Sequence, residues 1–168
     1  MSLHHPAFEN PEVLWPMDYG LGKSNLRTSG ELKADLLDRE VFVAQEMTFA
    51  SSHKKIVITA ESGDFGAKNY RAISFTLAVD IQSGIYLFKA EDQGQGPVRA
   101  MSYIECVEVN GQALYHLNQA TMGTLHLSVI ESCYSARLFT LDSLDHTGEC
   151  LEVCGDFEIS PPHATFCY

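Results

Sequence analysis

Short stretches in which apolar and polar residues alternate run through most of this chain, separated by clusters of Gly, Asn, Asp and Ser. In one of them, Ile73 and Phe75 alternate with Ser74 and Thr76. Such alternation places the two sets of side chains on opposite faces of a β-strand, and the intervening clusters are typical of turns. The pattern predicts about ten antiparallel strands, each buried on one face.

The fold class follows from the lengths of these stretches and of the connections between them. No window of a dozen residues keeps apolar residues at helical spacing together with a start and a stop signal, so little helix is expected. Most connections are hairpin-sized, which predicts an all-β antiparallel meander, closed into a barrel or folded into a two-sheet sandwich. The predicted strands are residues 31–37, 41–49, 54–60, 71–81, 85–90, 98–109, 112–118, 124–130, 135–142 and 151–159.

The chain divides into an irregular arm at residues 1–30, a single antiparallel β domain at 31–160 and a tail at 161–168. Prolines and glycines interrupt the arm, yet it is too rich in apolar residues for a solvated tail. We expect it to pack, either against the core of its own domain or against a second subunit of a homodimer. The residues expected to dock are Leu14, Trp15, Met17 and Tyr19.

Composition restricts the partners and the compartment. The 168 residues include 11 Lys and Arg against 22 Asp and Glu, a formal net charge of −11, so repulsion disfavours nucleic acid and anionic membrane surfaces. No apolar run is long enough for a membrane span, and no secretory signal is recognisable, so a cytoplasmic location is expected. Five cysteines with irregular spacing are then expected to be reduced thiols.

The common motifs of catalysis and cofactor binding are missing from the sequence. There is no phosphate-binding loop, no glycine-rich dinucleotide motif, no G-x-S-x-G elbow, no H-E-x-x-H and no C-x-x-C. These absences favour a non-enzymatic role.

One turn makes the pairing of two strands predictable. Asn110-Gly111 is the strongest hairpin signal in the chain, and a two-residue turn there places Glu105 opposite His116. If the next turn is centred on Thr121, His116 in turn faces His126. In this register the alternate positions, among them Tyr115, form an apolar face suited to the core.

Glu105, His116 and His126 would then form a row across three strands. Two histidines and one carboxylate can bind a catalytic zinc or a non-haem iron. The alternative is a solvated sheet face on which the glutamate hydrogen-bonds a histidine.

Three functions therefore remain open. The first is a module that binds a small apolar molecule or a protein partner, supported by the missing catalytic motifs and by a supply of aromatic residues. The second is a metal-dependent enzyme built on Glu105, His116 and His126. The third is a structural subunit of a homo-oligomer, assembled through the Trp15 arm and an edge strand.

Overall fold

The computed structural model describes residues 28–161, and the expected docking residues Leu14, Trp15, Met17 and Tyr19 lie outside this range. Strands occupy 67% of the described residues, and the helix among them is one 3-10 turn at Ala90–Asp92. The described chain is therefore all-β, as predicted. Its eleven strands are β1 (Ser29–Leu36), β2 (Phe42–Val43), β3 (Glu46–Ser51), β4 (Lys55–Ser62), β5 (Arg71–Ala78), β6 (Gly84–Lys89), β7 (Val98–Val109), β8 (Gln112–Gln119), β9 (Met122–Ile130), β10 (Cys133–Leu144) and β11 (Cys150–Ser160).

The strands form two antiparallel sheets that pack into a sandwich, one of the two architectures that the sequence predicts. The six-stranded sheet has the order β2-β1-β11-β10-β9-β6, and the five-stranded sheet has the order β3-β4-β5-β7-β8. Their inner faces share one apolar core. At its centre, the ring centroid of Phe75 lies 5.0 Å from that of Phe139 and 4.9 Å from that of Phe157, so side chains from both sheets interlock.

The predicted strand at 41–49 is wrong, because the chain crosses between the sheets in its middle. The amide of Ala44 donates to Leu32 O in the six-stranded sheet, while the next amide, that of Gln45, donates to Glu61 O in the five-stranded sheet. Phe42–Val43 and Glu46–Ser51 are consequently separate strands in different sheets. Alternation persists through the crossing, so periodicity alone does not reveal it.

Strand β5 is buried on both faces, whereas alternation predicts burial on one. Ser74 and Thr76, on its outer face, are as buried as its inward residues. The strand lies at the centre of the five-stranded sheet, with Thr59 and Ser102 of the flanking strands directly opposite Ser74. The hydroxyl oxygens of Thr59 and Ser74 are 3.5 Å apart, so these polar side chains are buried with hydrogen-bond partners available.

The hairpin at Asn110-Gly111 is confirmed. Both residues have positive φ, 52° and 77°, as a type I′ turn requires, and Val109 pairs with Gln112. The face expected to form the core is wrong, however. Tyr103, on the same side of β7 as Glu105, belongs to the main core.

The opposite face of β7 and β8 lies outside the sandwich, beneath the loop that joins β4 to β5. There Ile104 joins Ala72 and Tyr70 in a second, smaller apolar cluster, against which Tyr115 and Leu117 pack. Residues of this loop cover the face. Its side chains can therefore be apolar although they lie outside the main core.

Candidate functional site

The structure brings together two of the three residues predicted to form a row. Glu105 of β7 faces His116 of β8, as the register predicts. His126 lies in the other sheet, where it pairs with Leu138 of β10 and Ile85 of β6. The predicted row across three consecutive strands is therefore wrong at its third member.

The error arises at the connection after β8, which is a crossing between sheets and not a hairpin. The amide of Ala120 donates to Met101 O in the five-stranded sheet, and the amide of Thr121 donates to Asp142 O in the six-stranded sheet. Strand β9 therefore belongs to the six-stranded sheet, whereas β8 belongs to the five-stranded sheet. The three residues proposed as zinc or iron ligands do not converge, and the described residues contain no group of three His, Cys, Asp or Glu side chains placed to hold a metal ion.

Glu105 has a different partner, Arg39, from the turn between β1 and β2. The guanidinium Nε and Nη2 donate to Oε2 and Oε1 of Glu105 at 2.9 and 2.8 Å, a bidentate pair. The hydroxyl of Tyr103 also donates to Oε2 at 3.0 Å. Both carboxylate oxygens are thus engaged, and Glu105 is 9% exposed.

These contacts decide the protonation state of the carboxylate. Burial alone would raise the pKa of Glu105, but the hydrogen bonds and charge of Arg39, assisted by Tyr103, lower that pKa below its ordinary value. The hydrogen bond to Glu105 correspondingly raises the pKa of Arg39, so both groups are charged at neutral pH. Glu105 therefore serves as a fixed negative charge and is not poised as a general acid.

Arg39 also joins the two layers at this end of the sandwich. Its Nη2 donates to Asp145 Oδ2 at 3.2 Å, in the turn between β10 and β11. Asp145 Oδ1 accepts hydrogen bonds from the Thr147 hydroxyl and from the amides of Thr147 and Glu149. The Thr147 hydroxyl is the main cause of a strongly lowered pKa at Asp145.

His116 is oriented by its neighbour on the same face of β8. Asn118 Nδ2 donates to Tyr103 O at 3.1 Å, which leaves Asn118 Oδ1 to accept from His116 Nδ1 at 2.9 Å. In its neutral form, His116 therefore carries its proton on Nδ1 and presents Nε2 as an acceptor. The ring of His146 lies nearby, with the two ring centroids 5.8 Å apart.

A surface cleft of about 390 Å³ opens beside this cluster. Two of its lining residues, Tyr103 and Glu105, come from the inner face of β7. Basic side chains outnumber acidic ones in the lining, three to two, although the chain as a whole carries a charge of −11. The lining residues are Arg39, Glu40, Gln45, Ser62, Gly63, Lys68, Asn69, Tyr70, Arg71, Tyr103, Glu105 and Cys106.

Arg71 is the one cation lining this cleft that forms no ion pair among the described residues. Its Nη1 and Nη2 donate to the carbonyl oxygens of Glu40 and Val41 at 2.8 and 3.0 Å, and its guanidinium carbon lies 5.4 Å from the centre of the Phe42 ring. Among the described residues, no carboxylate lies within ion-pair distance of it. The guanidinium is thus held in place by neutral groups.

An aromatic cluster surrounds Tyr70, one of the residues that line the cleft. Tyr70 lines the cleft and packs edge-on against Phe65 and Tyr115, with ring centroids 5.3 and 5.4 Å away. Phe65 and Tyr115 stack on each other, and the amide of Gly66 donates to the Tyr115 hydroxyl. These contacts hold the loop between β4 and β5 against the sheet.

Glu105 was identified from the sequence, whereas its bidentate partner Arg39 and the neighbouring cation Arg71 were not. Residues 28–161 contain no helix that could span a lipid bilayer. Comparison of the chain with models of protein families, with curated proteins and with solved structures gave no match.

Proposed function

We propose that this protein is a binding module for a small anionic molecule, whose carboxylate or phosphate group binds at Arg71 in the cleft. The observation that carries the proposal is the anchored guanidinium of Arg71, which has no carboxylate partner among the described residues. A guanidinium has five N–H donors, and the two carbonyl oxygens leave others available. A planar carboxylate can accept two of them side by side.

The charge of the cleft supports the same ligand class. Arg39 is compensated by Glu105, and Lys68 forms an exposed pair with Glu108, with 3.2 Å between Nζ and Oε2. Arg71 therefore supplies the charge that an incoming anion would neutralise. Because the rest of the chain is acidic, this local positive site would be selective for a small anion that fits among its polar neighbours.

The size and lining of the cleft point to a small, polar molecule. Its volume of about 390 Å³ lies at the lower end of the range for small-molecule sites, which begins at roughly 300 Å³. Gln45, Ser62 and Asn69 add neutral hydrogen-bonding groups beside the cation. This lining favours a charged ligand over the small apolar molecule expected from the sequence.

The direct test is calorimetric titration of the protein with two probes, citrate and inorganic phosphate. We expect at least one of them to bind, and Arg71→Gln to weaken binding by about tenfold or more, since a charge-assisted hydrogen bond contributes about 1.5 to 3 kcal/mol. Arg71→Lys keeps the charge but loses the bidentate geometry, so it should restore only part of the affinity of a carboxylate.

Arg137→Gln is the matched control, because Arg137 is an exposed arginine outside the lining of the cleft. Equal losses in the Arg71 and Arg137 variants would show only a general effect of net charge. That result, or failure of both anions to bind, would contradict the proposal.

A further inference from the structure

Strand β6 lies at one end of the six-stranded sheet and pairs with β9 alone among the described strands. The amide of Ala90, just beyond it, donates to Thr121 O. In an antiparallel pair, backbone groups point alternately toward the partner and away from it. Gly84, Tyr86 and Phe88 therefore bond to β9, and the N–H and C=O groups of Ile85 and Leu87 point away from it, to an edge that no other described strand covers.

The side chains of Ile85 and Leu87 are exposed as well. Leu87 is 72% exposed, the highest value among the large apolar residues that the structure describes, and Ile85 is 66% exposed. Met122 of β9, which pairs with Lys89, continues the same outer face and is 53% exposed. Tyr86 and Phe88 point the other way and pack on the core. An open edge beside exposed apolar side chains is a site for pairing with another strand.

The charge at this edge differs from that of the whole chain. Neither β6 nor the stretch of β9 that pairs with it, residues 122–127, contains an acidic residue, and Lys89 is the one Lys or Arg there. In a chain with 22 Asp and Glu, this face is therefore one on which two copies can approach with little local repulsion between carboxylates. The partner best suited to it is a second copy of the same chain.

The end of the strand limits the possible registers. The amide of Lys89 donates to Asp92 Oδ2 at 3.3 Å, so that N–H is already occupied. Pairing Leu87 with Leu87 of a second copy would place Ile85 opposite the occupied Lys89. Pairing Ile85 with Leu87 of a second copy uses only the open groups of both strands, and it brings the most exposed apolar side chains of β6 together.

We propose that two copies of this chain pair through β6 as an antiparallel dimer about a two-fold axis. Tyr86 faces Tyr86 of the second copy, and Ile85 of each copy faces Leu87 of the other. Four backbone hydrogen bonds join the two strands, and the two six-stranded sheets become one continuous sheet. This dimer is independent of the proposed ligand, because no residue of β6 lines the cleft.

Sedimentation velocity of the full chain, from micromolar to millimolar concentration, tests the dimer. Leu87→Lys should raise the dissociation constant at least about tenfold, since a two-fold interface contains the substitution twice. Leu144→Lys is the matched control, because it places the same charge on an exposed leucine of the same sheet, in β10. A chain that stays monomeric at millimolar concentration, or two variants that associate equally, would overturn the proposal.

Amide hydrogen exchange on the unmodified chain tests the register without any substitution. We expect exchange at Ile85 and Leu87 to slow by about tenfold or more between micromolar and millimolar concentration, because their N–H groups become bonded only in the dimer. The amide of Lys89 is the internal reference, since Asp92 accepts its hydrogen bond in both states. Equal exchange of Ile85 and Leu87 at both concentrations would overturn the proposed register and the dimer with it.

Discussion

Arg39 connects the two sheets at one end of the sandwich, because it pairs with carboxylates from two separate parts of the chain. Its partners Glu105 and Asp145 are 66 and 106 residues away in sequence. No pattern of local spacing could have connected these residues, whereas the pairing of Glu105 with His116 follows from one turn. The register therefore placed Glu105 opposite His116, but the electrostatic surroundings of Glu105 depend on contacts that only the tertiary fold creates.

Removing the Arg39 side chain should destabilise the protein much more than removing an exposed cation. Arg39→Met leaves the buried Glu105 carboxylate without its counter-ion, and we expect a loss of about 2 to 3 kcal/mol. Lys68→Met breaks a pair whose side chains are 72% and 53% exposed, so its cost should be below about 1 kcal/mol. Urea unfolding of both variants measures the difference, and equal losses would contradict the importance given to the Arg39 pair.

The two carboxylates that pair with Arg39, Glu105 and Asp145, should make the fold less stable at acid pH. The folded protein holds the pKa of Glu105 and of Asp145 below their ordinary values of about 4.3 and 3.9, so the unfolded chain binds protons more readily. Their contribution is present above those ordinary values and is lost as the pH falls through the lowered, folded values. The free energy of unfolding should therefore decrease as the pH falls below about 5.

Glu105→Gln isolates the contribution of one carboxylate. This variant keeps a similar shape but cannot titrate, so its stability at neutral pH should be lower and its loss on acidification smaller than in the unmodified chain. Urea unfolding at several pH values between 7 and 3 would measure both slopes. A slope unchanged by the substitution would mean that Glu105 has the same pKa in the folded and unfolded chain.

At the scale of strands, substitution by alanine should reduce the stability to different extents at two glycines, Gly155 within β11 and Gly111 in the turn between β7 and β8. A Cβ on Gly155 of β11 would lie 2.2 Å from Lys33 O and 2.8 Å from Ala34 Cα, because β1 approaches closely there. A Cβ on Gly111 would meet nothing within 4 Å, so only its positive φ of 77° opposes the substitution. Steric overlap with backbone cannot be relieved by a rotamer change.

We therefore expect Gly155→Ala to cost about 3 kcal/mol or more and Gly111→Ala about 1 kcal/mol. Thermal unfolding of the two variants is the measurement. A larger loss for Gly111→Ala would show that the Asn110-Gly111 turn, and not the contact between β1 and β11, is the more demanding feature.

The strands themselves were predictable because their signals are local, while the sheet to which each belongs was not. Alternation identified the segment around β5, and Asn110-Gly111 identified the hairpin between β7 and β8. At Gln45 and at Thr121 the chain changes sheet from one residue to the next. Which sheet the chain enters there depends on which strand offers a carbonyl acceptor, and the sequence does not show this. The predicted register therefore put His126 in the wrong sheet.

For the whole molecule, the ends of the β domain meet, because β1 pairs with β11 along eight residues. Folding must therefore bring strands from the two ends of the described chain together in one sheet. The chain must also pass from the five-stranded sheet to the six-stranded sheet at β6 and back again at β7. Such distant pairings are typical of all-β proteins that fold slowly. They also bring the 19 acidic residues of the described range 28–161 together on one small sandwich.

This crowding of negative charge should make the folded protein more stable at moderate salt than at low salt. With a net charge of −11, like charges lie closer together in the folded chain than in the unfolded chain. Raising NaCl from about 10 to about 150 mM shortens the screening length from roughly 30 to 8 Å, which weakens that repulsion. We expect the free energy of unfolding in urea to increase over this range. The cost of Arg39→Met should change little, since its shielded ion pair is screened less than exposed charges are. Stability that falls with added salt would mean that attractive surface pairs, and not the net charge, dominate the electrostatics of the fold.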